Sequence, residues 1–144
     1  MTTIYTIGYE GATMADFLAA LTGAGVRRVI DVRALPSSRR PGFSKTPLAG
    51  SLREAGIDYI HLKALGTPKR GRDAAKKGDV ATLRAVYDEQ LDLPEAQVAA
   101  AAMLDLAGEM PSALLCYERE PGHCHRTLLL AAVAKRAEVV DLYV

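Results

Sequence analysis

Both cysteines of the chain, two of its three histidines, two arginines and two glutamates fall in one stretch near its end: Leu114-Leu115-Cys116-Tyr117-Glu118-Arg119-Glu120-Pro121-Gly122-His123-Cys124-His125-Arg126-Thr127. The apolar run, the Pro-Gly loop and the Leu-rich continuation read as a buried strand, a tight loop and the first turn of a helix. Helix starts expose N–H groups and positive potential, so they favour thiolates and anions. Cys124, flanked by His123, His125 and Arg126, is a candidate nucleophile. Arg126 is a candidate grip for a phosphate or carboxylate; alternatively it pairs with Asp31 or Glu118 and ties the loop down. Cysteine phosphatases wrap a phosphate with a C-x5-R spacing, and here only His125 separates Cys124 from Arg126.

Three carboxylates, Glu10, Asp31 and Glu118, are candidates for general acid and base work, with His125 assisting. Against this, Asp31 and Arg33 also read as an ion pair bracing loops, and Glu10 as a turn cap. Metal ligation is a rival chemistry. Cys116, His123, Cys124, His125 and His61 offer soft and borderline donors. No C-x2-C spacing supports it, adjacent Cys124 and His125 make an awkward pair for one ion, and Cys116 inside an apolar run reads first as a small core residue. Neither G-x-G-x-x-G nor G-x-x-x-x-G-K-[ST] occurs, so no nicotinamide or ATP site of the usual kind is expected, and no cofactor is assigned.

These residues need a scaffold, and the pattern supplies one. Ile4-Tyr5-Thr6-Ile7 is a strand closed by Gly8. Thr13 and Asp16 cap a helix carrying Phe17, Leu18 and Leu21, and Val29-Ile30-Asp31-Val32 is a second strand. A parallel β–α–β unit within the first 33 residues follows. Thr46 and Pro47 are expected to open a helix running to Gly56. Residues 57–62 are a third strand, and residues 63–77 a long basic loop. Asp79 caps one helix, Asp92 and Pro94 begin another, residues 112–117 are a fourth strand, a helix runs from His125 to about Arg136, and residues 139–144 are a fifth strand. The class is α/β: one domain over residues 1–144, with a mostly parallel five-stranded sheet and helices on both faces. Ligands of such sheets bind beyond the carboxyl ends of the strands, here marked by Tyr9 and Glu10, Asp31 and Arg33, His61, and residues 116–118.

A chain of 144 residues with net charge +1 is ordinary in bulk, but its charge is divided. Residues 27–77 hold 13 of the 18 Lys and Arg against 4 of the 17 Asp and Glu, a net +9, and the remainder nets −8. That split suggests a surface facing a polyanion, with Phe43 among Arg39, Arg40 and Lys45 as a weak nucleic-acid contact pattern. Two cysteines sharing a motif with histidines point to a reducing cytoplasm. No leader and no apolar run near the roughly 20 residues of a membrane span are expected.

Taken together, Thr6-Ile7-Gly8-Tyr9-Glu10-Gly11, Asp31-Val32-Arg33 with Pro36 and Ser38, Gly42-Phe43, Leu65-Gly66, Cys116-Tyr117-Glu118 and Cys124-His125-Arg126 resemble the domain-of-unknown-function 488 family, in order and over nearly the whole chain. The resemblance implies one shared site formed by Glu10, Asp31, Arg33, Cys116, Glu118, Cys124, His125 and Arg126, and implies no reaction. Gly66-Thr67 stands where the family often has a glycine pair. Ile30-Asp31-Val32-Arg33 also resembles a strand motif of rhodanese-like domains, which implies a rhodanese-like sheet and nothing about activity. The resulting expectation is an enzyme, a hydrolase or transferase, for a phosphate-bearing substrate, either a nucleotide or a nucleic acid. In it Glu10, Glu118, Cys124 and His125 are catalytic, and Tyr9, Asp31, Arg33 and Arg126 bind substrate. The rivals are a non-catalytic nucleic-acid-binding module and a thiol or metal sensor centred on Cys124.

Overall fold

The computed structural model describes residues 2–144, apart from the side chain of His123. Five strands form one parallel sheet: β1 (Thr3–Gly8), β2 (Arg28–Asp31), β3 (Asp58–His61), β4 (Ser112–Cys116) and β5 (Glu138–Leu142), in the order β3-β2-β4-β1-β5. β4 is flanked by strands on both sides, and all five of its residues are buried. A strand covered on both faces reads as a continuous apolar run, which is why Ala113, Leu114 and Leu115 follow one another.

Helices cover both faces. On one side α1 (Met14–Gly23) and α2 (Lys45–Glu54) bring Phe17, Leu21, Leu48 and Leu52 onto Ile7, Val29 and Leu115. On the other, α4 (Val80–Leu91), α5 (Pro94–Glu109) and α6 (His125–Val133) bring Tyr87, Met103 and Leu129 onto Ile4, Ile30 and Leu114. Alternate residues of one strand thus feed two cores, as the two-residue side-chain period requires. None of these helices is long and apolar enough to cross a membrane.

Thr13 caps α1 by accepting the Asp16 N–H at 3.1 Å, and Asp79 caps α4 by accepting the Thr82 N–H at 3.1 Å. Three boundaries differ from the sequence reading. α2 starts two residues early, with Ser44 at its N-cap and Pro47 at its third residue. The helix at the chain's end stops at Val133, and β5 starts at Glu138. The largest difference lies in the basic segment, expected as a loop. It holds a short 3-10 turn (Lys63–Leu65) and a two-turn helix, α3 (Lys69–Lys76). α3 buries only Gly71 and Ala74, so its inward face carries almost no apolar area for a sequence pattern to register.

Two close approaches fix the loops at the carboxyl edge. A Cβ on Gly8 would lie 1.7 Å from the Glu118 carbonyl oxygen, and one on Gly66 would lie 2.2 Å from the Ala34 nitrogen. Only hydrogen-sized side chains let these backbones meet. Beyond Gly8, the Tyr9 N–H donates to the Cys116 carbonyl and the Glu10 N–H to the Tyr117 carbonyl, so the loops after β1 and β4 stay paired past the sheet.

Candidate functional site

A cleft of about 990 Å³ opens over the carboxyl ends of β1, β2 and β4. Its floor is the end of β4 and the start of α6. Cys116 is the last residue of β4, Cys124 the N-cap of α6 and His125 its first residue. All three are buried and line the cleft. Their ligand-capable atoms, Sγ, Sγ and Nδ1, lie within 4.8 Å of one another. His125 Nδ1 is 3.6 Å from Cys116 Sγ and 3.8 Å from Cys124 Sγ. His125 Nε2 is 2.8 Å from the Val32 carbonyl oxygen. A carbonyl only accepts, so the Nε2 proton sits there and the Nδ1 face is turned to both sulfurs.

Glu118, half-buried, brings Oε2 to 3.3 Å from Cys116 Sγ, with one hydrogen between them. Burial opposes ionising Cys116, but the Cys124 S–H, the His125 ring and Arg126 outweigh it and hold this thiol well below its ordinary value. Cys124 moves the other way, pushed up by burial and by the neighbouring Cys116 sulfur. Burial and the Cys116 sulfur push the Glu118 carboxyl up to about 7. For His125, burial favours the neutral ring, and the Cys116 sulfur reverses the balance, raising it. The sequence reading made Cys124 the candidate nucleophile and Cys116 first a core residue. Their surroundings lower the Cys116 thiol and raise that of Cys124, while Cys116 keeps its place in the core.

Several expected substrate contacts are held in the protein's own hydrogen-bond and packing network. Asp31 is fully buried and accepts from the Arg33 N–H (3.0 Å), Arg33 Nε (2.9 Å), Arg33 Nη2 (2.8 Å) and the Tyr59 hydroxyl (2.5 Å). Burial, with the Asp31 carboxylate, raises the Tyr59 phenol. Arg33 also donates to the Phe43 carbonyl at 2.7 Å and the Tyr9 hydroxyl at 3.3 Å. Although burial disfavours its charge, Asp31 holds the guanidinium more firmly protonated than usual. Asp31 does not line the cleft, and Arg33 reaches it only at the edge of this network. Arg126 has no exposure: it donates to the Glu118 carbonyl at 2.7 Å and the Arg119 carbonyl at 3.1 Å. It therefore ties down the loop after β4, and the acid partners considered for it, Asp31 and Glu118, do not take it as an ion pair. Tyr9 is stacked on Phe43 at 4.7 Å and meets Tyr117 edge-on, so it is a packed wall of the cleft. Glu10 is exposed at the rim and accepts the Arg119 N–H at 3.1 Å. His61 Nε2 meets the Arg33 carbonyl at 2.7 Å, away from the thiols. His123, expected as a thiolate neighbour and ligand, has its side chain outside the described residues.

A family model described as Domain of unknown function DUF488 matches residues 13–133. The chain belongs to this family. The DUF488 match takes in Asp31, Arg33, Cys116, Glu118, Cys124, His125 and Arg126 and begins after Tyr9 and Glu10. Comparison with curated proteins and with solved structures finds no match, and the rhodanese-like resemblance is not confirmed.

The walls of the DUF488 cleft hold basic residues of the segment that the sequence marked as facing a polyanion, Arg39 and Arg40 of its weak nucleic-acid contact pattern among them. Arg39, Arg40, Arg72 and Lys76 line it, and none has a carboxylate partner among the described residues. Arg72 and Lys76 reach it together because α3 is a helix and residues four apart share a face. Arg40 Nε donates to the Ala12 carbonyl and Arg72 Nη1 to the Thr67 carbonyl at 2.8 Å, which fixes both stems. Thr67, the residue standing in place of the family's second glycine, is buried on the cleft wall with its hydroxyl unpartnered. Leu35, Val80 and Tyr117 form an exposed apolar lip.

Proposed function

We propose that this protein is an enzyme that binds a phosphate-bearing substrate, a nucleotide or a nucleic acid, in this cleft and performs hydrolysis or group transfer on its floor. One observation carries the reading: four arginine and lysine side chains without carboxylate partners face the same cleft whose floor gathers two thiols, an imidazole and a carboxyl. Isolated cations on a surface are usually solvated. Four converging on one concavity concentrate positive potential where a polyanion gains most from it. Its volume lies at the upper end of the roughly 300–1,000 Å³ of small-molecule sites, sufficient for a nucleotide or a base drawn from a strand. Phosphates sit on Arg39, Arg40, Arg72 and Lys76, a base or sugar lies against Tyr117, Leu35 and Val80, and the Thr67 hydroxyl takes a polar group of the substrate. The reacting atom reaches Cys116, Glu118 and His125. Glu10, at the rim, is a lesser proton carrier than Glu118. Two free thiols this close suit a reducing compartment, and we assign the protein to the cytoplasm.

The test is a panel of nucleotides and short single-stranded oligonucleotides, followed by binding and by turnover. Wild type binds and converts a member of the panel; Glu118→Gln still binds it and loses at least about 100-fold in kcat, the usual scale for a proton-transfer group. Binding without any conversion would make the protein a nucleic-acid or nucleotide module, and no binding to any phosphate-bearing ligand would remove the reading.

A further inference from the structure

We infer that the cleft floor is a metal centre: Cys116 Sγ, Cys124 Sγ and His125 Nδ1 ligate one zinc-class divalent cation, with the fourth position open to the cleft. Three independent features point the same way. The first is metric. With metal–sulfur bonds near 2.3 Å and a metal–nitrogen bond near 2.0–2.1 Å, a tetrahedral ion holds its sulfur and nitrogen ligands roughly 3.6 Å apart. The two Sγ–Nδ1 distances are 3.6 and 3.8 Å. Both sulfurs already stand at the distance from the imidazole nitrogen that an ion requires, and all three atoms lie within 4.8 Å of one another.

The second is orientation. A ligating histidine characteristically donates its other ring N–H to a carbonyl or carboxylate, which fixes the tautomer and aims the free lone pair. His125 does this through Nε2 and the Val32 carbonyl at 2.8 Å. The third is the turn between neighbours. Adjacent Cys124 and His125 are awkward ligands within a regular helix or strand. Here Cys124 is an extended N-cap, with φ −132 and ψ 150, and His125 is the first helical residue. The backbone changes direction between them and both side chains reach the same point.

Thiolates and one imidazole suit a borderline-soft cation such as zinc rather than magnesium or calcium, which take oxygen. Three protein ligands with a fourth side facing a cleft is the arrangement of a reactive zinc centre, whereas a purely structural ion has four closed ligands. The open position takes a water. Were an ion bound, it would make that water a stronger acid, and Glu118, whose Oε2 lies 3.3 Å from Cys116 Sγ, would be the carboxyl beside it to carry the proton. This last role rests on the proposed enzymatic reading; ion binding itself rests on the ligand geometry alone.

The probe is cobalt(II), then zinc(II), titrated into wild-type protein stripped of metal under reducing conditions. The expected result is one equivalent of cobalt with intense visible bands of a tetrahedral ion and a near-ultraviolet thiolate band, both abolished by one equivalent of zinc. Elemental analysis of protein prepared without chelator should find close to one zinc per chain. Cys124→Ala should lose the thiolate band's full intensity and the tight stoichiometry, while Glu118→Gln should keep both. Wild type that shows no saturable cobalt spectrum, or a Cys124→Ala spectrum identical to wild type, would overturn the assignment. If Cys124→Ala does not fold, the wild-type titration and a zinc-dependent rise in its melting temperature decide the matter. Nucleotide binding without cobalt binding would remove the metal and leave the phosphate reading standing; cobalt binding without any phosphate ligand would do the reverse.

Discussion

Asp31 accepts four hydrogen bonds while no solvent reaches it, and three come from Arg33. Breaking a buried ion pair by removing one partner strands the other charge, at a cost of about 3–5 kcal/mol. Asp31→Ala should therefore lower unfolding stability by about that amount in urea, and Asp31→Leu with Arg33→Met should recover part of it. A single-variant loss under about 1 kcal/mol would show that Arg33 finds water or another partner. The sequence brought Asp31 and Arg33 to the correct edge of the sheet and left two roles open. What separates the roles is exposure, and a residue's position in a strand does not report whether its neighbours close over it. Cys116 shows the same limit from the other side. The sequence posed core and site as alternatives, whereas Cys116 is buried at 4 % exposure and also forms the cleft floor.

α1, α2 and β4 were legible because they carry their period in bulky apolar side chains: Phe17 and Leu21 in α1, Leu48 and Leu52 in α2, the unbroken run of β4. α3 was not, because glycine and alanine make its inward face, yet it delivers Arg72 and Lys76 to the cleft. The cleft therefore depends on an element that hydrophobic patterning cannot see. Backbone contacts between elements are equally silent in sequence, and the meeting of β1 with the loop after β4 is the most consequential. Gly8 lies against the Glu118 carbonyl, and a Cβ there would also stand 2.9 Å from Arg126 Nη1, which holds that carbonyl. Gly8→Ala must push the loop off β1 and carry Glu118 with it. The expected loss is about 1–3 kcal/mol, the range for overpacking a filled site, together with loss of turnover. Gly23→Ala, inside α1 where a Cβ meets nothing within 4 Å, is the control: it should leave turnover unchanged and raise stability by about 0.5–1 kcal/mol. Equal behaviour of the two variants in melting and in activity would mean that the loop does not need that contact.

Across the whole molecule, the division of charge acquires a location. The basic segment, residues 27–77, nets +9 and runs from β2 through α3, so it builds the wall of the cleft on which Arg39, Arg40, Arg72 and Lys76 converge. Other basic residues of the same segment face elsewhere: Arg53 is exposed at the end of α2, outside the cleft, and Lys69 pairs with Asp73 at 2.9 Å. Sequence composition weights all of these equally, but counterion release does not. Each cation that neutralises a phosphate contributes about one unit to the slope of log affinity against log salt, and a cation that merely sits on the surface contributes little. With a single-stranded oligonucleotide as ligand, Arg72→Ala and Lys76→Ala should each flatten that slope by about 0.7–1 and weaken binding most at low salt. Arg53→Ala removes the same formal charge and should leave the slope within error of wild type. Equal flattening by all three would mean that binding follows net charge rather than this wall. The cleft would then be bystander to a diffuse electrostatic association, and the phosphate subsite assigned to α3 would have to be abandoned even if the metal centre below it were real.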